Sequence, residues 1–318
     1  MNAIEVRALT KSYGKQVVLD SIDLDVAEGT VFALLGPNGA GKTTAIHILS
    51  TLISADSGQV LVGGHDVARD PNAVRGLIGL TGQVSAVDGQ FTGEENLRLM
   101  ADLEHLGKER GPRRVRELLE RFDLVDAANK PAMTYSGGMR RRLDLAMTLV
   151  GEPRIIFLDE PTTGLDPRSR RVMWDIVRSL VADGVTVLLT TQYLEEADRL
   201  ANRIALLDHG RIVASGTPAE LKRLVPGGSV RFEFGDTVQL DRAASVIGDG
   251  AVRDDEALSL QVPSDGSVQG LRKLIDRLDA GAIEVEGLSV RSAELDDVFL
   301  SLTGTASPRR TDLEVPAP

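Results

Sequence analysis

Residues 4–9 and 17–26 alternate apolar and polar side chains, with Val17, Leu19, Ile22, Leu24 and Val26 as the apolar set of the second stretch. That pattern predicts two half-buried antiparallel strands. The next run, Thr30-Val31-Phe32-Ala33-Leu34-Leu35, is continuously apolar after its threonine, as expected of a strand covered on both faces. A glycine-rich stretch follows, and then Ala45, Ile46, Ile48, Leu49 and Leu52 recur at helical spacing. The glycines therefore join a buried strand to a helix. Two more buried-strand runs, Arg154-Ile155-Ile156-Phe157-Leu158 and Val185-Thr186-Val187-Leu188-Leu189-Thr190, each end in polar residues. The carboxyl ends of parallel strands are where α/β sheets bind ligands. Between the buried runs at 30–35 and 154–158, residues about 93–130 and 136–150 read as mostly helical, a helical insertion inside an α/β frame.

Ser215-Gly216-Thr217-Pro218 reads as a turn opening the last helix of this unit, and Val225-Pro226-Gly227-Gly228-Ser229 reads as a break. Beyond it, strand patterns at about 229–235, 251–262 and 282–291 alternate with helical patterns at about 239–247, 267–280 and 294–302. The order suits a small α+β domain of ferredoxin-like kind. We expect domains at 1–224 and 229–303, and a disordered tail at 304–318, rich in Pro, Ser, Thr and charge.

The 318 residues suit two domains, and 42% hydrophobic with 26% charged residues is an ordinary globular balance. No run of about 18 uncharged apolar residues exists, and Met1-Asn2-Ala3-Ile4-Glu5 has no basic segment leading an apolar one. The expectation is a cytoplasmic chain without a membrane span. Absence of cysteine removes disulfides, thiolate zinc sites and thiol nucleophiles. The net charge of −11 is uneven: residues 231–318 carry 9 basic and 17 acidic side chains, so nucleic acid is a poor partner for the C-terminal part. The Arg140–Arg142 run is read accordingly as a solvated helix face rather than a nucleic-acid patch. Met173 and Trp174, in an amphipathic stretch, are read as core, and the four histidines have no metal-ligand spacing.

Gly36-Pro37-Asn38-Gly39-Ala40-Gly41-Lys42-Thr43, set between strand and helix, has the form of a phosphate-binding loop. Backbone N–H groups of such a turn point at phosphate oxygens, and the helix N-terminus adds partial positive charge. Lys42 neutralises the outer phosphates, and the Thr43 hydroxyl is a magnesium ligand. Asp159, at the exit of an apolar strand, can hold magnesium through water, and Glu160 can orient or deprotonate the attacking water. Taken alone, Leu158-Asp159-Glu160-Pro161 reads equally well as the cap of a following helix.

With Tyr135-Ser136-Gly137-Gly138-Met139 lying between these two segments, the first 222 or so residues resemble the nucleotide-binding subunit of an ABC transporter, with every family motif in order. The resemblance implies a P-loop NTPase of ABC type, with an antiparallel β subdomain and a helical subdomain, plus the small C-terminal α+β domain. It makes residues 36–43 the Walker A loop, followed by Thr44, and residues 155–160 Walker B. Tyr13 matches the aromatic that stacks on adenine, and Gln83 matches the Q-loop residue that meets magnesium and borders the membrane partner. Ser136, Gly137 and Gly138 match the signature motif, and Asp166, in Gly164-Leu165-Asp166-Pro167, the D-loop. Where most relatives have histidine after the Thr-Thr of the last sheet strand, this chain has Gln192, which can donate a hydrogen bond to the γ-phosphate but cannot titrate.

That glutamine, the run from Tyr135 to Ala146 and the segment from Glu294 to Gly304 are similar to the daunorubicin-resistance ATP-binding proteins of actinobacteria. The resemblance implies an ATPase using ATP and magnesium, dimerising head to tail around two ATP molecules. It also implies a separate transmembrane permease subunit, docked near Gln83 at the inner face of the cell membrane, and export of a drug, antibiotic or other hydrophobic natural product. Lipid or polysaccharide export is the alternative cargo. A soluble ABC ATPase of translation or DNA repair is disfavoured by the single cassette, the absent cysteine and the lack of a long heptad run.

Overall fold

The computed structural model describes residues 1–224, 228–248, 250–264, 267–291 and 294–303. They divide into two compact units, Met1–Pro218 and the residues from Ala219 onward. The tail at 304–318, and Val225, Pro226 and Gly227 of the expected break, lie outside the described residues.

Chain order in the first unit begins with Asn2–Tyr13 (β1) and Gln16–Ala27 (β2), an antiparallel pair. Ile4, Val6, Leu9, Leu19, Ile22, Leu24 and Val26 are buried there, as the alternation predicts. Val17 departs from it and is 53% exposed. The register shifts along this pair, and Ser21 at φ 53° supplies the extra residue between Leu19 and Ile22 that a strict period of two leaves out. Val31–Leu35 (β3) is buried at all positions. Lys42–Leu49 (α1) follows; it stops short of Leu52, which is 59% exposed. Ser57–Val62 (β4) and His65–Asp66 (β5) complete a four-stranded sheet in the order β2-β1-β4-β5.

Pro71–Arg75 (α2) and Ile78–Thr81 (β6) lead into the helical insertion, which comprises Gly93–Leu103 (α3), Gly107–Arg121 (α4) and Gly137–Thr148 (α5). The chain then returns as Ile155–Asp159 (β7), Pro167–Ala182 (α6), Thr186–Thr191 (β8), Leu194–Leu200 (α7), Arg203–Asp208 (β9) and Arg211–Gly216 (β10), and Pro218–Lys222 (α8) follows. The six-stranded sheet has the order β10-β9-β3-β8-β7-β6, with β3, β6, β7, β8 and β9 parallel and β10 antiparallel at the edge. β3 and β7 are not consecutive in space; β8 lies between them. The glycine loop after β3 and the Asp-Glu pair after β7 therefore open at the same carboxyl edge, on either side of the end of β8.

In the second unit, Ser229–Glu233 (β11), Thr237–Ile247 (α9), Val252–Asp254 (β12), Ser259–Pro263 (β13), Val268–Ala280 (α10) and Gly287–Arg291 (β14) precede Leu295–Thr303 (α11). The antiparallel sheet order β12-β13-β11-β14 and the β-α-β-β-α-β sequence make this a ferredoxin-like domain. The single strand expected at 251–262 is in fact a hairpin. Its turn is made by Asp254, whose carboxylate accepts from the Ala257 N–H at 3.0 Å, and by Leu258 at φ 43°. Val230, Phe232, Leu240, Leu260 and Leu278 form its core.

Candidate functional site

The phosphate loop is held by contacts that exclude a β-carbon. The Gly36 N–H donates to the Thr191 carbonyl at 3.2 Å, and a Cβ on Gly36 would stand 2.2 Å from the Leu207 carbonyl oxygen. Gly41 caps α1 at φ 109°, where a Cβ would meet the Val18 carbonyl at 2.7 Å. Between them Asn38 and Gly39 are exposed, Pro37 is half-buried and Ala40 is buried. Lys42 opens α1 with its side chain only 4% exposed. Its ammonium donates to the carbonyls of Gly36 at 2.8 Å and Pro37 at 3.0 Å, and lies 3.4 Å from Glu160 Oε1. Burial lowers the Lys42 pKa, and the carboxylates of Glu160 and Asp159 oppose that shift.

Across the loop, Asp159 ends β7 nearly sealed from solvent. It accepts hydrogen bonds from the Thr43 hydroxyl at 2.9 Å and from the Thr190 hydroxyl of the adjacent strand. Two hard oxygens on neighbouring elements at the rim of a phosphate cradle match the donor chemistry of magnesium. Glu160 adopts φ 48°, a left-handed conformation that costs a non-glycine residue about 1–3 kcal/mol. The neighbours that hold it are specific. Its N–H donates to the Thr190 hydroxyl at 3.0 Å and to the Thr190 carbonyl at 3.2 Å, while its Oε2 accepts from Thr163 at 3.1 Å. The Leu-Asp-Glu-Pro segment is therefore not a helix cap: α6 begins later, at Pro167, and Asp166 caps it.

Lys42, Thr43, Asp159 and Glu160 thus form one cluster with the glycine loop, whose Gly36 and Pro37 carbonyls accept from Lys42. Thr44 is half-buried in α1. Tyr13 ends β1 with 53% of its surface exposed, the Lys11 ammonium 5.6 Å from its ring centre. Gln83 is exposed just after β6, and Gln192 is half-buried between β8 and α7. Ser136 caps α5, accepting from the Met139 N–H at 3.3 Å, and both Ser136 and Gly137 are exposed. Gly138 packs so closely on Ser169 that a Cβ would fall 2.5 Å from its hydroxyl. The Ser169 hydroxyl in turn donates to Asp166, whose pKa it lowers, so the D-loop and the signature turn are neighbours. Among the described residues, no hydrogen bond or ion pair joins Ser136, Gly137 or Gly138 to the phosphate loop of the same chain.

Sequence reasoning missed Thr190 and Thr163. The signal for Thr190 was present, since β7 and β8 are parallel neighbours and register sets Asp159 opposite Thr190. The solvated face expected for Arg140–Arg142 is corrected: all three guanidinium groups donate to backbone carbonyls, Arg140 to Ala132, Arg142 to Phe122 and Asp123, and Arg141 to four carbonyls. A planar group with five donors suits clustered strand and helix ends better than it suits water. Met173 and Trp174 are core, as expected, and the indole N–H donates to the fully buried Glu196 at 3.1 Å.

The sequence profile described as ABC transporter matches residues 19–163. The daunorubicin resistance ATP-binding protein DrrA2 of Streptomyces coeruleorubidus is 51% identical over 306 residues, 95% of each chain. The chain belongs to the ABC transporter family. The Nod factor export ATP-binding protein I of Paraburkholderia xenovorans is 37% identical over 95% of this chain and 97% of its own. Among solved ABC structures, the dimeric post-hydrolysis state of an ATP-binding cassette bound to ADP and Pi matches with a TM-score of 0.62 at 26% identity, over 67% of this chain and 98% of that one. The chain is therefore an ABC ATPase, which binds and hydrolyses ATP. ABC ATP-binding subunits work with separate membrane subunits and dimerise; among the described residues, no helix is long and apolar enough to cross a membrane.

Proposed function

We propose that this chain is the ATPase of an exporter for a drug, antibiotic or other hydrophobic natural product, acting at the inner face of the cell membrane through a separate permease. In this reading residues 1–224 are the ATPase and 229–303 an accessory domain. Two copies close head to tail over two ATP molecules, each held by one copy's Walker residues and the other's signature turn. The observation that carries the reading is the split of the site. Lys42, Thr43, Asp159 and Glu160 are gathered in one cluster, whereas Ser136 and Gly137 are exposed at their own helix end, available to a second copy.

Magnesium, when bound, supplies positive charge that polarises the terminal phosphate. Thr43, Asp159 and Gln83 are the residues to hold it. Lys42, already desolvated, neutralises phosphate charge with little further cost in lost water. Glu160, braced by Thr190 and Thr163, holds the attacking water in line and takes its proton, while Gln192 donates to the γ-phosphate. Tyr13 stacks on adenine, a contact worth about 1–3 kcal/mol that tolerates a change of base. Asp166 completes the contact between the two copies.

The relatives named for drug resistance support the cargo class. The experiment is export of a fluorescent anthracycline from cells carrying this chain and its permease, wild type against Glu160→Gln. Efflux in wild type that is lost in Glu160→Gln supports the reading. ATP hydrolysis without anthracycline efflux in wild type removes the anthracycline assignment and leaves a lipid, a polysaccharide or another natural product as the cargo to test next.

A further inference from the structure

Arg141 lies in the second turn of α5, past Ser136, with 11% of its side chain exposed. Its donors are spent on three separate segments. Nε bonds the Pro161 carbonyl at 2.9 Å, Nη1 the Gly82 carbonyl at 2.8 Å and Asp144 Oδ2 at 3.2 Å, and Nη2 the carbonyls of Asp159 at 3.1 Å and Glu160 at 3.4 Å. Those five contacts match the five N–H groups of a guanidinium; a lysine offers three, without the fork. Asp144, 4% exposed, extends the network by accepting from the Ala86 N–H at 3.0 Å, beyond the Q-loop. Burial lowers the Arg141 pKa and raises that of Asp144, and each charge opposes the other's shift. A buried pair of this kind is a weak source of net stability, so its value lies in what it orients. The oriented segments are the residue before Gln83, the strained Glu160 with both its neighbours, and the helix that begins at Ser136.

We propose that Arg141, with Asp144 as its counter-ion, is a positioning residue for ATP hydrolysis, fixing the backbone beside Gln83 and around Glu160 against the signature helix. Within the two-site dimer proposed above, on which this second part rests, Ser136 serves the partner's nucleotide while Gln83 and Glu160 serve the chain's own. Arg141 is then the link inside one chain between the two ATP sites.

The test uses the full chain, alone and with its permease, as Arg141→Lys, Arg141→Gln and Arg141→Gln/Asp144→Asn. Arg141→Gln alone leaves a buried carboxylate unpaired and loses stability as well as rate. The double variant removes both charges, so its Tm returns toward wild type while the four carbonyls stay without their fork. For it we expect kcat to fall by about 10- to 100-fold, the range that misplacement of reacting groups produces. Binding of a fluorescent ATP analogue should change less than about twofold, since Lys42 and the glycine loop are untouched. The Hill coefficient for ATP should fall toward unity. A double variant with wild-type kcat, full activity in Arg141→Lys, or equal losses of kcat and ATP binding would overturn the positioning role. A lost kcat with unchanged cooperativity overturns the link between sites. Failure of the dimer reading shows separately, as a Glu160→Gln chain that stays monomeric with ATP in size-exclusion chromatography.

Discussion

Replacing the glycines of the phosphate loop one at a time by alanine separates two costs that coincide in most glycine substitutions. At Gly36 the backbone is ordinary and only space is lacking, since the new Cβ would stand 2.2 Å from a carbonyl oxygen of β9. At Gly39, φ is 81° and nothing lies within 4 Å, so only the dihedral is unfavourable. At Gly41 both apply, with φ 109°, the Val18 carbonyl at 2.7 Å and Leu19 Cδ2 at 2.8 Å. A left-handed alanine costs about 1–2 kcal/mol. Overpacking costs about 1–3 kcal/mol, and the stiffer unfolded chain returns about 0.4–1 kcal/mol. Gly39→Ala therefore nets about 0–1.6 kcal/mol, Gly36→Ala about 0–2.6, and Gly41→Ala about 1–4.6, with a midpoint of about 3. For a unit spanning Met1–Pro218, about 3 kcal/mol lowers Tm by about 6–12 °C. Thermal unfolding by circular dichroism, paired with ATP affinity, reads both outlets for the strain, loss of stability or a distorted loop. Equal damage from Gly39→Ala and Gly41→Ala, or a Gly36→Ala chain with unchanged Tm and affinity, would refute this separation of the two costs.

Burial raises the pKa of Glu196, so the folded chain retains a proton that the unfolded chain releases, and the carboxyl costs stability as pH rises above the ordinary glutamate range. Glu196→Gln keeps an acceptor for the Trp174 indole and does not titrate; its Tm gain over wild type should be larger at about pH 8 than at about pH 5, and an equal offset at both would refute the burial penalty. Phe232→Ala opens a cavity in the core of the ferredoxin-like unit and should cost that unit about 3–5 kcal/mol. Far-ultraviolet circular dichroism should show part of the chain melting early while ATP affinity is kept; parallel loss of ATP binding would refute the independence of the two cores.

The sheet frame was legible because its strands are buried on both faces, and each announces itself by an unbroken apolar stretch: Val31–Leu35, residues 155–158 and residues 187–189. The phosphate loop was legible because close approach of backbone to backbone leaves glycine little substitute, as the Gly36 and Gly41 contacts make concrete. What stayed hidden depends on neighbours brought together only by topology. Thr190 reads as one more β-branched strand residue until β7 and β8 are set in register. Arg141 reads as one of three surface arginines until the Q-loop and the end of β7 converge on α5. The hairpin at 252–263 was missed because its turn is carried by Asp254 and Leu258 rather than by glycine.

Trp174 is the single tryptophan of the chain. Its indole, on the helix that Asp166 caps, is bonded to Glu196 and lies 5.7 Å beneath the guanidinium of Arg199, both on the helix that follows Gln192. A buried carboxyl group and a cation at these positions set the polarity around the ring. A small slide of one helix past the other therefore shifts its emission. The protein carries its own optical gauge between the D-loop and the Gln192 loop, readable through the ATP cycle without attaching a dye.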